Sequence, residues 1–269
     1  MTTPLLSSCG DLLDEVRRQS PLVQCITNYV AMNLAANVLL AAGASPAMVH
    51  APAEAGEFAR LSGAVTINIG TLSTLWLEGM CEAAKAAHES GKPWVLDPVA
   101  HFATAFRRKA TEALLVLRPT VIRGNASEIM ALAGDASSGR GVDSGDSVER
   151  AEVSAMVLAR RAHAVVAVTG AVDFVTDGRD SVRIAGGSAL MPKITAMGCA
   201  LTGLVGACVA VAPAAPLMAT VCALACFGVA GSQAAQTAQG PGSFAWQFID
   251  ALAALDGTAL KAHAQVTHA

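Results

Sequence analysis

Between Ile194 and Ile249 the chain contains no Asp, Glu, Lys, Arg or His. A stretch that long without charge fits either a lipid bilayer or a protein interior covered on several sides. A spanning helix needs about 20 strongly apolar residues. Leu204–Val211 is apolar enough, but Pro213 and Pro216 follow at once. The next run, Leu217–Gly231, is rich in Ala and Gly and has neither flanking Lys/Arg nor an aromatic belt. The expectation is therefore a pair of fully buried helices and no membrane insertion.

The rest of the composition agrees with an interior-rich fold. Charged residues make up 14% of the 269, against about 25% in a typical soluble domain. A formal net charge of −3 leaves no basic footprint for nucleic acid. An apolar content of 53% excludes disorder. The first residues, MTTPLLSSCGDLLDEVRRQS, lack the basic start and apolar core of a signal peptide. The seven cysteines are odd in number and scattered, which reads as reduced thiols of a cytoplasmic protein and not as a disulfide framework.

Short β-rich runs alternate with Ala-rich helical ones. Strands are expected at Leu22–Ile26, Ala47–His50, Val65–Gly70, Trp94–Val99, Thr120–Gly124 and Ala164–Thr169. A hairpin follows, Val172–Thr176 and Ser181–Ala185 around Asp177-Gly178. Helices are expected at Asn28–Ala42, Glu54–Leu61, Thr74–Ser90, Ala103–Leu117, Ser127–Ala133 and Val148–His163. Beyond Thr195 the chain reads as helix only, and the tail from Lys261 is expected to fray. Residues 134–147 read as a mobile polar loop. This alternation predicts one α/β domain, residues 1–269. Its sheet is mostly parallel, with helices on both faces and an antiparallel edge hairpin.

Ligands of such sheets bind where the parallel strands end. The residues there are Asn28, Met48, Asp97, Arg123-Gly124-Asn125, Thr169-Gly170 and Thr195–Cys199. Thr195-Ala-Met-Gly-Cys199 opens an uncharged helix, whose free N–H groups and dipole suit an oxyanion or a transferring phosphoryl group. A thiolate at Cys199 is favoured there; the bland alternative is a turn followed by a buried apolar cysteine. Arg123 at a strand end suits phosphate, and Asn125 with Glu128 forms a capping-box pattern that still leaves Glu128 facing a cation. Asp97 is the one carboxylate on an apolar strand, so it reads as a Mg²⁺-water ligand or as a turn-fixing acid before Pro98. Thr169-Gly170 offers a hydroxyl and a free N–H to phosphates, or is an ordinary turn. Met48 reads as core or ligand wall, Cys222 and Cys226 as core, and His101 as a lone histidine. No P-loop, dinucleotide fingerprint or hydrolase elbow occurs.

These residues stand in recognisable company. Cys25-Ile-Thr-Asn-Tyr-Val-Ala-Met-Asn33, Gly43-Ala-Ser-Pro-Ala-Met48, Leu96-Asp-Pro-Val99 and Arg123-Gly-Asn-Ala-Ser-Glu128 resemble segments of hydroxyethylthiazole kinases. So do Val168-Thr-Gly170, Gly198-Cys199 with Leu201-Thr202, and Gly240-Pro-Gly-Ser-Phe244, in the family's order over roughly residues 20–255. The resemblance implies a ribokinase-like fold. It also implies phosphorylation of 4-methyl-5-(2-hydroxyethyl)thiazole with ATP and Mg²⁺ in thiamine biosynthesis and salvage, and a homotrimer with sites at subunit boundaries. By the same resemblance Met48 matches a thiazole-contacting methionine, and Arg123 and Thr169 match ATP-binding positions. Ala196 stands where the family usually has a substrate-contacting glycine, and Cys199 where related folds carry a catalytic aspartate. Asn28 joins the expected substrate contacts, Gly198 the transfer point, and Asp97 and Glu128 the metal side. Two departures stand out. Ala196-Met197-Gly198-Cys199 replaces Gly-Thr-Gly-Cys, and Ala100-His101-Phe102-Ala103-Thr104 replaces a Gly-rich stretch. Rival readings are a hydroxymethylpyrimidine-type kinase and a non-catalytic small-molecule binder of the same fold.

Overall fold

The computed structural model describes residues 2–135 and 146–269, with side chains from residue 8 onward. The predicted polar loop thus lies mostly outside the described residues.

Nine strands form one sheet: β1 (Leu22–Ile26), β2 (Ser45–Ala47), β3 (Ala64–Asn68), β4 (Trp94–Asp97), β5 (Val121–Asn125), β6 (Val165–Thr169), β7 (Val172–Thr176), β8 (Ser181–Ala185) and β9 (Gln265–His268). Their spatial order is β2-β1-β3-β4-β5-β6-β7-β8-β9. Pairings from β2 through β6 are parallel, and those from β6 through β9 antiparallel. The helices are α1 (Thr2–Gln19), α2 (Met32–Ala42), α3 (Pro52–Leu61), α4 (Thr74–Glu89), α5 (Ala105–Leu115), α6 (Ala126–Ala133), α7 (Val148–Ala162), α8 (Met197–Val211), α9 (Pro216–Thr237), α10 (Pro241–Ala254) and α11 (Gly257–His263).

The central strands are buried on both faces, which is why they read as continuous apolar runs. Their alternate side chains enter different cores. Val95, Val121, Val165 and Ala167 face the layer built on α1, α2, α8 and α9. Trp94 and Leu96 face α3 and α4, and Ile122, Val166 and Val168 face α6 and α7. The charge-free run becomes α8, α9 and α10. α8 is buried on nearly every side, from Ala200 through Val209. α9 is long and apolar enough to cross a membrane by length and composition, yet 72% of its most apolar window is buried inside the fold. Protein packing therefore accounts for its lack of charge.

Two expectations are corrected, and one element is added. The tail does not fray: α11 leads into β9, which pairs antiparallel with β8 and buries Val266. The exposed edge of β8 supplies the hydrogen-bonding partner that four residues alone could not signal. The chain also begins with a helix that the β/α alternation did not include. α1 buries Cys9, Leu13 and Val16, one helical stripe, against the α9 layer. Finally, Cys9 and Cys222 form a disulfide joining α1 to α9 across 213 residues of sequence. The scattered spacing gave no hint of it; the two thiols meet because α1 packs on the uncharged helices. Smaller shifts occur at β2, which ends at Ala47 instead of His50, and at α2, which starts at Met32 instead of Asn28.

Candidate active site

The parallel strands end on one side of the sheet, and β3, β4, β5 and β6 deliver Asn68, Asp97, Arg123 and Thr169 to a single cluster. Asp97 is completely buried. Its Oδ2 takes Nδ2 of Asn68 at 2.7 Å, the Thr202 hydroxyl at 2.9 Å and Nη1 of Arg123 at 3.4 Å. Its Oδ1, equally buried, has no partner. Burial pushes the Asp97 carboxyl up, against the pull of Arg123.

Arg123 also donates from Nη2 to the Thr169 hydroxyl, which lies 3.3 Å from the Gly124 carbonyl. Its guanidinium sits over the first turn of α8, where a Cβ on Gly198 would be 2.7 Å from Nη1 and Nη2. Only glycine leaves the cation that close to the helix N-terminus. The predicted set therefore converges: Asn28, Asp97, Arg123, Thr169, Gly198 and Cys199 are tied by direct contacts. Met48 lies just past β2, half-buried against the core on the α8 side.

The capping box is present. Asn125 accepts from the Glu128 N–H, and Glu128 Oε2 accepts from the Asn125 N–H, each at 2.9 Å. Oε1 of Glu128 accepts from the Ala100 N–H. Burial, then the charge of Asp97, raises the Glu128 carboxyl to about 7. The altered loop after Asp97 turns tightly: Ala100 has φ 47°, and His101 is buried edge-on to Phe102. Burial pushes His101 down to about 4.

Two local expectations fail. Helix position does not favour a Cys199 thiolate, because burial and the charge of Asp97 push the thiol up to about 11. The Gly170 N–H is not free for phosphate, since the Asp173 carboxylate accepts it at 2.8 Å. Asn28 stays outside α2, its Oδ1 accepting from the Ala31 N–H while its Nδ2 faces Cys199 Sγ at 3.3 Å. Asn68 and Thr202 are site residues that the strand-end reading missed. Among the described residues, no group of three or more His, Cys, Asp or Glu is placed to hold a metal.

A mostly parallel sheet, a basic clamp and buried acid at its strand ends, and an uncharged helix opening beneath them define a ribokinase-like small-molecule kinase. The pyridoxal kinase of Staphylococcus aureus in complex with ADP shares this fold, with a TM-score of 0.65 over 93% of this chain and 99% of that one, at 16% identity. The hydroxyethylthiazole kinase of Pyrococcus horikoshii OT3 superposes with a TM-score of 0.89 at 41% identity, covering 97% and 99% of the two chains. In sequence, the hydroxyethylthiazole kinase of Rhizobium etli (strain CIAT 652) is 70% identical over 95% of this chain and 99% of its own. That of Rhizobium johnstonii is 66% identical over 100% and 98%. Residues 13–258 match the profile of the hydroxyethylthiazole kinase family, and the chain belongs to that family. It is thus an enzyme that transfers phosphate to an alcohol.

Proposed function

We propose that the protein phosphorylates the hydroxyl of 4-methyl-5-(2-hydroxyethyl)thiazole with ATP, in thiamine biosynthesis or salvage. The observation that carries this reading is the seat of Arg123 over Gly198, beside a buried acid, at the open end of α8. The first-turn N–H groups of α8 hold the transferring group electrostatically, without a lysine. Arg123 neutralises phosphate charge, and Thr169 orients Arg123. The thiazole hydroxyl attacks in line, its ring held by Met48, Asn28 and Ala196. Cys199, beside the transfer point, takes the hydroxyl proton only in its minor thiolate form, and otherwise that proton leaves on an oxygen of the transferring phosphoryl group; phosphoryl transfer depends mainly on positioning and charge stabilisation.

The fully buried Oδ1 of Asp97, lacking any partner, fits a Mg²⁺-bound water. Asp97 would hold the ion through water, with Glu128 contributing charge from behind its two N–H contacts. When bound, Mg²⁺ supplies charge neutralisation between the ATP phosphates.

The assembly proposed is a homotrimer with sites at subunit boundaries. Tyr29, Val30 and Leu75 are exposed beside a cleft of about 160 Å³ lined by Tyr29, His50, Pro52 and Trp76, close to the strand ends. A second subunit would cover this apolar surface. The location proposed is the cytoplasm.

The test is ADP formation with Mg²⁺ and either the thiazole alcohol or hydroxymethylpyrimidine as acceptor. Thiazole-dependent turnover is expected. Preference for the pyrimidine would replace the reading with its nearest rival, and no acceptor-dependent turnover would favour a non-catalytic binder.

A further inference from the structure

Asn68 closes β3 beneath the cluster and is only 2% exposed. Every polar atom of its amide has a partner. Nδ2 donates to Asp97 Oδ2 at 2.7 Å, and Oδ1 accepts from Asn28 Nδ2 and from the Gly70 N–H, both at 2.9 Å. Asn28 Nδ2 in turn lies 3.3 Å from Cys199 Sγ. The direction of this chain is set at its acidic end. A carboxylate only accepts, so Asn68 must turn its NH₂ to Asp97 and its carbonyl to Asn28. Asn28 must then present its NH₂ to both Asn68 and Cys199, an orientation its own Oδ1 supports by accepting from the Ala31 N–H. Gly70 keeps the space clear, since a Cβ there would lie 2.8 Å from the Asn28 side chain.

We propose that Asn68 is a positioning residue for phosphoryl transfer, fixing the Asn28 amide so that its N–H meets Cys199 Sγ. The inference rests on the thiazole-kinase reading. With that N–H on the sulfur, the remaining lone pairs and the thiol hydrogen are left for the acceptor hydroxyl. Asn68 thus bridges the Asp97 side of the cluster and the Asn28–Cys199 side, and its own side chain also hydrogen-bonds the Cys199 thiol, pulling it down as Asn28 does. A leucine at position 68 would strand the Gly70 N–H, and an aspartate would set two carboxylates face to face.

The experiment compares wild type, Asn68→Ala, Asn68→Asp and Asn28→Ala, with folding checked by circular dichroism and Tm. Each variant is expected to lose at least about tenfold in kcat; in the two Asn68 variants the KM of ATP and of thiazole alcohol should stay within about threefold, whereas Asn28→Ala, which also removes a proposed ring contact, should raise the thiazole KM as well. Folded variants with wild-type kcat, or with only KM raised, would overturn the proposal. In a Cys199→Ala background the Asn68→Ala loss should shrink to about threefold or less; losses that multiply in full would also overturn it. If Asn68→Ala does not fold, Asn28→Ala carries the same cycle with the partners of Asp97 intact. A second readout needs no turnover: alkylation of Cys199 by iodoacetamide, followed by peptide mass spectrometry. The rate should fall at least about threefold in Asn68→Ala and Asn28→Ala, because an N–H donated to sulfur favours the thiolate. Equal or faster alkylation refutes the contact. An inactive wild type with slowed variant alkylation would instead refute the thiazole-kinase reading alone.

Discussion

Arg123 and Gly198 share one small volume: the guanidinium lies where the side chain of any other residue at 198 would stand. Gly198→Ala should therefore leave the helix intact, since alanine is the better helix former, yet displace the cation from Asp97 and Thr169. A charge-assisted contact is worth roughly 1.5–3 kcal/mol, so the KM of ATP should rise about tenfold or more with Tm little changed. Steady-state kinetics with ATP varied tests this; an unchanged KM would mean that Arg123 does not bind the nucleotide.

Ala196, the N-cap of α8, has φ 65° and ψ 9°, the left-handed region. An L-residue with a Cβ pays roughly 1–2 kcal/mol there. Glycine removes that strain but adds about 0.4–1 kcal/mol of unfolded-state freedom. Ala196→Gly should then stabilise the protein by about 0.5–1 kcal/mol, raising Tm by about 2 °C. It also removes a methyl group from the proposed thiazole wall, so the thiazole KM should fall. A lower Tm would show that the backbone at 196 is not strained.

Much of this was legible because charge and β-branching mark buried strands so clearly. β1, β7 and β8 fall on their predicted bounds, and Asp97 stands out as the lone acid on its strand. Strand-end logic reached Arg123 and Thr169 for the same reason. It passed over Asn68 because β3 was expected to run on to Gly70, which carries no side chain; the strand actually stops two residues earlier. Thr202 was hidden inside an apolar helix, where a hydroxyl can as well bond its own backbone. The Cys199 thiol illustrates a different limit. Its helix position is local and readable, but the burial and the neighbouring Asp97 that outweigh it come from distant segments. Cys9–Cys222 and β9 likewise depend on contacts between segments far apart in the sequence.

Glu128 offers a pH test. Its folded value near 7 lies above the usual 4.5, so the folded state binds this proton more tightly. The associated stability is fully present below about 4.5 and is lost as pH rises through 7. Asp173, raised to about 6, acts in the same sense, and His101, lowered to about 4, in the opposite one. The prediction therefore concerns a difference. Without Mg²⁺ or ATP, Glu128→Gln should gain Tm relative to wild type between pH 5 and about 7.5. Parallel Tm profiles would show that Glu128 does not titrate in that range.

The Cys9–Cys222 disulfide closes about four-fifths of the chain into one loop. A cross-link of that span typically contributes about 2–4 kcal/mol, chiefly by restricting the unfolded chain. Cys222→Ala should lower Tm by several degrees, and incubation with dithiothreitol should lower the wild type toward the same value. Both cysteines are buried, so reduction should be slow until the protein is warmed. Identical Tm values for wild type and Cys222→Ala would remove the disulfide from the account of stability.

Cys199→Asp is the sharpest test of how little base catalysis the site needs. A thiol held near 11 is protonated at neutral pH and accepts a second proton poorly. Phosphoryl transfer through a loose transition state asks mainly for alignment and charge neutralisation, the roles proposed for Arg123 and the α8 N-terminus. A carboxylate in the same place would still receive the Asn28 N–H and would take the hydroxyl proton more readily, despite the cost of a second acid near Asp97. Turnover should therefore be retained or raised. A folded Cys199→Asp protein without activity would count against any proton-accepting role at this position, and would leave the sulfur as a packing element at the transfer point.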